Sequence, residues 1–377
     1  MSRGGFEPPV YPYERLSGAK ARAAVHDGGL VDLSIGTPCD PPPPAAVAAL
    51  GASDTERGYP ASVGTPAYRE AAAGWMARQL GVELPASAVA ACIGAKEFVA
   101  TLPSWLHLRR PDRDTVLYPA VSYPTYEMGA VLAGCRAVSV PVDRDWRLDL
   151  DAVDPDDAAR ALVLWVNTPG NPAGQLEDLG TVAAWGRLNG VPVFSDECYV
   201  EFTWDGPART VLADGPDGVV AVHSLSKRSN LAGLRAGFYA GDADLVRYLS
   251  EVRKHAGMLV PGPVQAAAVA AWADQDHVVV QRGRYRERLT RFAELLTVMG
   301  CEVSPPEGGF YLWASVPGGD AWAFTETMAT EGGCLISPGD LYGPAGAGHV
   351  RVALVQPLER LELVARRLQS RPQSRTV

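Results

Sequence analysis

The chain has 377 residues, 47% of them hydrophobic and 20% charged, with a formal net charge of −9. That composition supplies ample apolar material for a core, and the length allows one large domain with a smaller one, or two to three domains. An acidic balance without any Lys/Arg block gives no support to nucleic-acid or membrane-surface binding.

Met1 to Leu16 is polar and proline-containing and lacks the apolar segment of a signal peptide. No apolar run approaches the ~20 residues of a membrane span. Cys39, Cys92, Cys135, Cys198, Cys301 and Cys334 are far apart and without CxxC spacing, so they read as reduced, mostly buried thiols of a cytoplasmic protein. The scattered histidines include no HExxH or similar pair, which predicts no metal site.

Residues 1 to 44 read as irregular and end in the stiff run Asp40-Pro41-Pro42-Pro43-Pro44. Gly58-Tyr59-Pro60 and Gly64 make a turn-rich segment, and Thr65 to Leu80 carries a helical stripe of Tyr68, Ala71, Ala72, Trp75 and Leu80. From Ala88 onward short apolar runs alternate with helical patterns. Strands are expected at Ala88–Ile93, Thr115–Tyr118, Ala137–Pro141, Ala161–Val166, Val191–Phe194, Val219–His223 and Ala236–Ala240. Helices between them include Lys96–His107, Tyr126–Ala133 and Leu176–Leu188. Such alternation predicts an α/β fold with a mostly parallel sheet and helices on both faces. The last two strands are joined too closely for a crossover, so one strand should be antiparallel. Pro263 to Met299 reads as helix, apolar first and charged later. Short strands follow at Glu302–Ser304, Tyr311–Val316, Cys334–Ser337 and His349–Leu354, and Gln369 to Val377 reads as a frayed tail.

The chemistry centres on Ser224 to Gly237. Lys227 lies at a strand end, where α/β enzymes place reactive groups, between hydroxyls and ahead of Arg235. A lysine there can act as a nucleophilic amine if its pKa is lowered. Ser224, Ser226 and Arg235 make an anion site suited to phosphate oxygens. A reactive amine beside a phosphate cradle points to a phosphorylated aldehyde held as a Schiff base, which describes pyridoxal phosphate. Gly94-Ala95-Lys96-Glu97, at a strand-to-helix junction, is a second phosphate site through backbone N–H groups and the helix dipole. Asp196, at a buried strand end, needs a cationic partner, and a protonated ring nitrogen is one. Arg351, inside an alternating strand, could make an ordinary salt bridge, although guanidinium geometry also fits bidentate binding of a carboxylate.

Ser224, Ser226, Lys227, Gly233, Arg235 and Gly237 reproduce the Ser-x-Ser-Lys-x-x-x-x-x-Gly-x-Arg-x-Gly signature at all six positions. On this pattern the chain resembles the class I/II aminotransferases, fold-type I pyridoxal phosphate enzymes, from about Val31 to Leu368. The resemblance implies a seven-stranded large domain over residues 45–297. A smaller α+β domain would be formed by residues 1–44 and 298–377. It implies a cofactor attached to Lys227, which then serves as general base and acid. Asp196 would hold the ring nitrogen, Asn171 and Tyr199 the phenolic oxygen, and Tyr123 would stack on the ring. Gly94, Ala95, Lys96, Ser224, Ser226 and Arg235 would cradle the phosphate. Gly36 and Arg351, with Asn171, would meet the substrate carboxylate. In this family a tyrosine at the position of Tyr59 reaches the partner subunit's cofactor, which implies a homodimer with shared active sites. Two positions depart from the pattern: Ala95 replaces a Ser or Thr, and Ala173 a Thr. The expected partners are small-molecule substrates, an amino acid and a 2-oxo acid. Segments such as Val252 to Met258 and Ser337 to Gly343 are similar to the actinobacterial N-succinyldiaminopimelate aminotransferases, with Arg15, Arg253 and Lys254 as candidates for a distal anion.

Rival patterns fail on their own terms. Ser224 to Lys227 satisfies S-x-x-K, but the SDN-like triplet at Ser195 ends in Glu197, precedes it, and is joined by no KTG. The glycines of Gly343 to Gly348 neither follow a clear strand nor open a helix, so a dinucleotide site is unsupported. C–S β-elimination could use the same parts. A transcription regulator of this fold would need a DNA-binding domain, for which no residues remain.

Overall fold

The computed structural model describes residues 5–369. Its chain opens with a 3-10 turn at Pro12–Leu16, helix α1 (Ser17–Ala24) and strand β1 (Val31–Asp32). The expected irregular arm is therefore partly ordered. α1 buries only Ala19 and Ala23, too small a stripe to stand out in the sequence. The proline run stops being extended at Pro44, which opens α2 (Pro44–Ala52), because proline's fixed φ and missing N–H suit a first helical position. Helix α3 (Pro66–Leu80) is capped by Thr65, whose side chain accepts from Tyr68 N, and ended by left-handed Gly81.

The next segment alternates as expected. It runs β2 (Val89–Cys92), α4 (Ala95–Arg109), β3 (Thr115–Pro119), α5 (Thr125–Leu132), β4 (Arg136–Val140), α6 (Pro155–Arg160) and β5 (Ala161–Asn167). Then come α7 (Leu179–Asn189), β6 (Val193–Asp196), β7 (Val219–Ser224), the short turn α8 (Leu225–Arg228), β8 (Gly237–Gly241) and α9 (Ala243–His255). α7 starts later than its apolar pattern because Asp178 caps it, accepting from Thr181 N at 3.2 Å. β6 extends to Asp196 itself, so that carboxylate is the strand's last residue rather than a neighbour of it.

The seven strands lie in the order β2-β8-β7-β6-β5-β3-β4. β8 runs antiparallel to both neighbours and the other pairings are parallel, the arrangement that the tight β7–β8 connection requires. Two buried clusters cover its faces, one around Trp75, Phe238 and Trp272, the other around Phe98, Trp165 and Phe194. Each such side chain contributes ~1.5–3 kcal/mol when fully buried.

The expected single helix from Pro263 to Met299 is two, α10 (Gly262–Ala273) and α11 (Asp276–Val298). Asp274 leaves helical geometry at φ −97°, ψ 120° and its carboxylate accepts from Asp276 N, which restarts the chain in a new direction. The C-terminal part holds β9 (Glu302–Val303), β10 (Tyr311–Ser315), α12 (Ala321–Gly332), β11 (Cys334–Leu335), β12 (Ser337–Pro338), β13 (His349–Ala353) and α13 (Leu358–Gln369). The segment read as one strand over Cys334–Ser337 divides at Ile336. β11 pairs with β1, while β12 joins a four-stranded antiparallel sheet in the order β12-β13-β10-β9. α12 and α13 close a separate core around Leu312, Val350 and Val364. The expected frayed tail beyond Gln369 lies outside the described residues. Cys92, Cys301 and Cys334 are buried, but Cys39 is exposed. Among the described residues no helix is long and apolar enough to cross a membrane.

Candidate active site

The carboxyl ends of β2, β5, β6 and β7 converge on one edge of the large sheet, where open α/β sheets bind ligands. Register places Asn167 beside Asp196 and Asp196 beside Val222. Against this edge lies a cavity of about 340 Å³, within the range of small-molecule sites. Gly36, Ala95, Lys96, Tyr123, Asn171, Asp196, Tyr199, Ser224, Ser226, Lys227, Arg235 and Arg351 all line it. Gly94 does not line it but caps α4 directly behind the lining. Its φ of +75° and a Cβ that would sit 2.4 Å from Arg235 Nη2 require glycine. Tyr59 is 98% exposed and does not reach the cavity of its own chain.

Lys227 rides on α8, whose first turn is set by Ser224. The Ser224 hydroxyl accepts from Ser226 N at 3.1 Å and lies 3.0 Å from Ser226 Oγ. The Lys227 amine donates to the Gly36 carbonyl. Burial lowers its pKa to about 8, with the Arg351 and Arg235 charges adding to the effect. Asp196 is 5% exposed, and burial raises its pKa although donors oppose the shift. Those donors are the Cys198 thiol and backbone N–H on Oδ1 and the Tyr126 hydroxyl on Oδ2 at 3.0 Å. Among the described residues Asp196 forms no ion pair, so a cationic ring nitrogen would meet an uncompensated buried carboxylate.

Asn171 is fixed from two sides. Its N–H donates to Asn167 Oδ1 at 2.8 Å, and its own Oδ1 accepts from Arg351 Nη1 at 2.8 Å. Arg351, 1% exposed, also donates to the Ser34 carbonyl, and its guanidinium lies 4.4 Å from the Tyr311 ring centroid. Tyr199 and Tyr311 share a hydrogen bond at 2.9 Å.

Tyr11, Tyr13, Tyr126, Cys198 and Tyr311 also line the cavity, and sequence reasoning gave them no role. Tyr126 alone had a usable signal, its place in the first turn of α5 three residues after Tyr123. The three distal-anion candidates are not brought to the cavity. Arg253 is buried in a bidentate pair with Glu97, Arg15 bonds Asp340 at 3.1 Å, and Lys254 lies 3.7 Å from Glu251.

The donor set suits a phosphorylated pyridine aldehyde. It offers a buried amine of lowered pKa, a buried carboxylate lacking a cation, and an arginine with two serine hydroxyls and a helix N-terminus for the phosphate. The sequence profile of the class I and II aminotransferases matches residues 29–368, and the chain belongs to that family. Its cofactor is pyridoxal 5′-phosphate, and it acts on amino acids and oxo acids. It is 42% identical to a 4-dedimethylamino-4-oxo-anhydrotetracycline transaminase of Streptomyces rimosus, over 96% of this chain and 99% of that one. An LL-diaminopimelate aminotransferase of Desulforudis audaxviator is 35% identical, covering 96% of this chain and 95% of its own. The solved structure of a probable N-succinyldiaminopimelate aminotransferase from Thermus thermophilus superposes with a TM-score of 0.85. It shares 32% identity and covers 95% of this chain and 99% of its own.

Proposed function

We propose that Lys227 carries the cofactor covalently and that the enzyme transfers an amino group between N-succinyl-LL-2,6-diaminopimelate and 2-oxoglutarate, running biosynthetically from glutamate. One observation carries the reading: the Lys227 amine, the Asp196 carboxylate and the Arg351 guanidinium border a single cavity. When bound, pyridoxal phosphate supplies an electron sink for the carbanion formed at the substrate Cα. Asp196 keeps a proton on the ring nitrogen. Lys227 Nζ, free of the cofactor, would take the Cα proton as general base and pass it as general acid to the cofactor's aldehyde carbon rather than back to Cα. Arg351 and Asn171 would orient the α-carboxylate, and Tyr123 would pack against the ring. Asn171 and Tyr199 hold the phenolic oxygen, while Ser224, Ser226, Arg235 and the Gly94–Lys96 turn hold the phosphate.

The same reading makes residues 45–297 the cofactor-binding domain and residues 1–44 with 298–377 the smaller one. It makes the enzyme a cytoplasmic homodimer whose partner contributes Tyr59. The substrate assignment draws on the names of the diaminopimelate relatives and on charge. Lys96, Lys227, Arg235 and Arg351 are cations in the cavity lining, and Lys96 is exposed beside Tyr11 with no other task in binding the substrate. A succinyl carboxylate there would meet it.

A second reading is favoured by the higher identity to the anhydrotetracycline relative: amination of a ketone on a polycyclic natural product. Borohydride reduction and peptide mapping should label Lys227, and label on Lys96 or Lys254 would sink the assignment. Rates with succinylated diaminopimelate, free diaminopimelate, aspartate and an aromatic amino acid, each with 2-oxoglutarate, decide the substrate. A tenfold lead for aspartate or the aromatic acid, about 1.4 kcal/mol in transition-state binding, removes the diaminopimelate reading and leaves the transaminase intact. Turnover without any keto acid would point instead to β-elimination.

A further inference from the structure

Arg253 on α9 is 1% exposed and grips Glu97 with both terminal nitrogens, at 2.7 and 2.8 Å. Its guanidinium lies 5.4 Å from the Phe98 ring centroid and 5.8 Å from that of Tyr239, which stack on one another. Glu97 is the third residue of α4. Its Oε2 also accepts from the backbone N–H of Ile93 at 3.2 Å, and its Oε1 accepts from Thr101 Oγ1 at 3.0 Å. The Ile93 carbonyl in turn accepts from Arg235 Nη2 at 3.2 Å. Both polar backbone groups of the residue before Gly94 are thus held by side chains that converge on the turn. With no hydroxyl on Ala95, this turn meets a phosphate chiefly through backbone N–H groups, whose aim depends on that hold.

We infer that Glu97 and Arg253 are positioning residues for the cofactor phosphate, acting through Ile93 and Gly94 without touching the ligand. The inference rests on the proposed reading of the Gly94–Lys96 turn as a phosphate site. Charge gives it a direction. An acid in the first turn of a phosphate-binding helix repels a dianion unless a cation cancels it. Removing Arg253 leaves an uncompensated carboxylate there and frees it to leave Ile93. Removing the charge of Glu97 as well takes away the repulsion while the amide oxygen of glutamine can still accept from Ile93 N.

The test titrates the apoenzyme with pyridoxal phosphate and with pyridoxal, which has the same ring and aldehyde but no phosphate, following the absorbance of the bound chromophore. Arg253→Met is expected to weaken pyridoxal phosphate at least about tenfold and pyridoxal by under about twofold. The double variant Glu97→Gln/Arg253→Met should return to within about threefold of wild type. Equal loss for both ligands, or no loss for either, overturns the inference, as does a double variant worse than Arg253→Met. If Arg253→Met does not fold, Glu97→Gln alone carries the test: it leaves the Arg253 charge unmatched, so a gain confined to the phosphorylated ligand is expected, and a loss or equal effects on both ligands overturn the inference. Ser226→Ala separates the two readings. If it leaves the preference for the phosphorylated ligand intact, the phosphate site itself is misassigned. If it lowers that preference and Arg253→Met does not, only the positioning pair fails.

Discussion

Arg351 Nη1 donates to Asn171 Oδ1 at 2.8 Å, and this bond ties β13 of the antiparallel sheet to the loop after β5 of the large sheet. A substrate carboxylate placed against Arg351 therefore sees a guanidinium already aimed by Asn171 and by the Ser34 carbonyl. Preorganisation of this kind raises the affinity obtained from each contact.

Arg351→Lys should raise KM for the amino acid by about ten- to a hundredfold, since a charge-assisted bidentate contact contributes ~1.5–3 kcal/mol and an ammonium cannot reproduce it. Affinity of the apoenzyme for pyridoxal phosphate should change little. Steady-state kinetics with one donor and one acceptor measure the first, absorbance titration the second.

Asp196→Asn retains the side-chain shape and removes a buried charge whose pKa burial pushes up. Thermal stability should be unchanged or higher. Transamination should fall by at least ~10²-fold, because the ring nitrogen is no longer held protonated. Turnover near that of wild type in the variant would refute the electron-sink role.

The lowered pKa of Lys227, about 8, sets a pH dependence. Below that value the amine is protonated and cannot attack an aldehyde; above it the amine is free. Covalent capture of pyridoxal phosphate by the apoenzyme should accelerate about tenfold per pH unit below 8 and level off above it. Arg351→Met removes a neighbouring positive charge and should move the inflection upward. A rate still climbing at the ordinary lysine pKa would contradict the assignment.

Gly36 has no space for a side chain: a Cβ there would lie 2.0 Å from the Tyr311 hydroxyl. Gly36→Ala should displace Tyr311, break its bond to Tyr199 and disturb the carbonyl that Lys227 meets. Overpacking of this kind costs about 1–3 kcal/mol, so the melting temperature should drop by a few degrees. kcat/KM should drop by more than about tenfold. Restoring room with Gly36→Ala/Tyr311→Phe should recover part of the stability.

The residues that were legible in the sequence share a property: they interrupt apolar periodicity. Asp196 ends a hydrophobic strand, Lys227 and Arg235 sit in a polar turn between two such strands, and Arg351 breaks an alternating one. Tyr311 instead sits at a periodic position of its strand, where a tyrosine facing the cavity looks the same as one in the core. Arg253 was misleading for a related reason. Its partner Glu97 is 156 residues away, and only the packing of α9 on α4 shows that its charge is already matched. The α10–α11 break was invisible because Asp274 and Gln275 carry no Gly or Pro signal.

The last expectation concerns Tyr59, which is 98% exposed in a chain where most tyrosines are covered. It sits in the segment before α3, and Val47 on α2 and Ile35 are exposed as well, at 48% and 45%. If two chains pair over this surface, each cavity combines Lys227 of one protomer with Tyr59 of the other. Tyr59→Phe then loses one phosphate contact and should bind pyridoxal phosphate about tenfold more weakly, the effect of one charge-assisted hydrogen bond. Lys227→Ala should be inactive. Dissociated and reassembled together, the two variants form heterodimers in which the single site holding Lys227 also receives an intact Tyr59. At limiting cofactor the mixture should therefore exceed the activity of the Tyr59→Phe chain alone. A monomeric and fully active protein in sedimentation, or a mixture no better than its active component, would rule out the shared site.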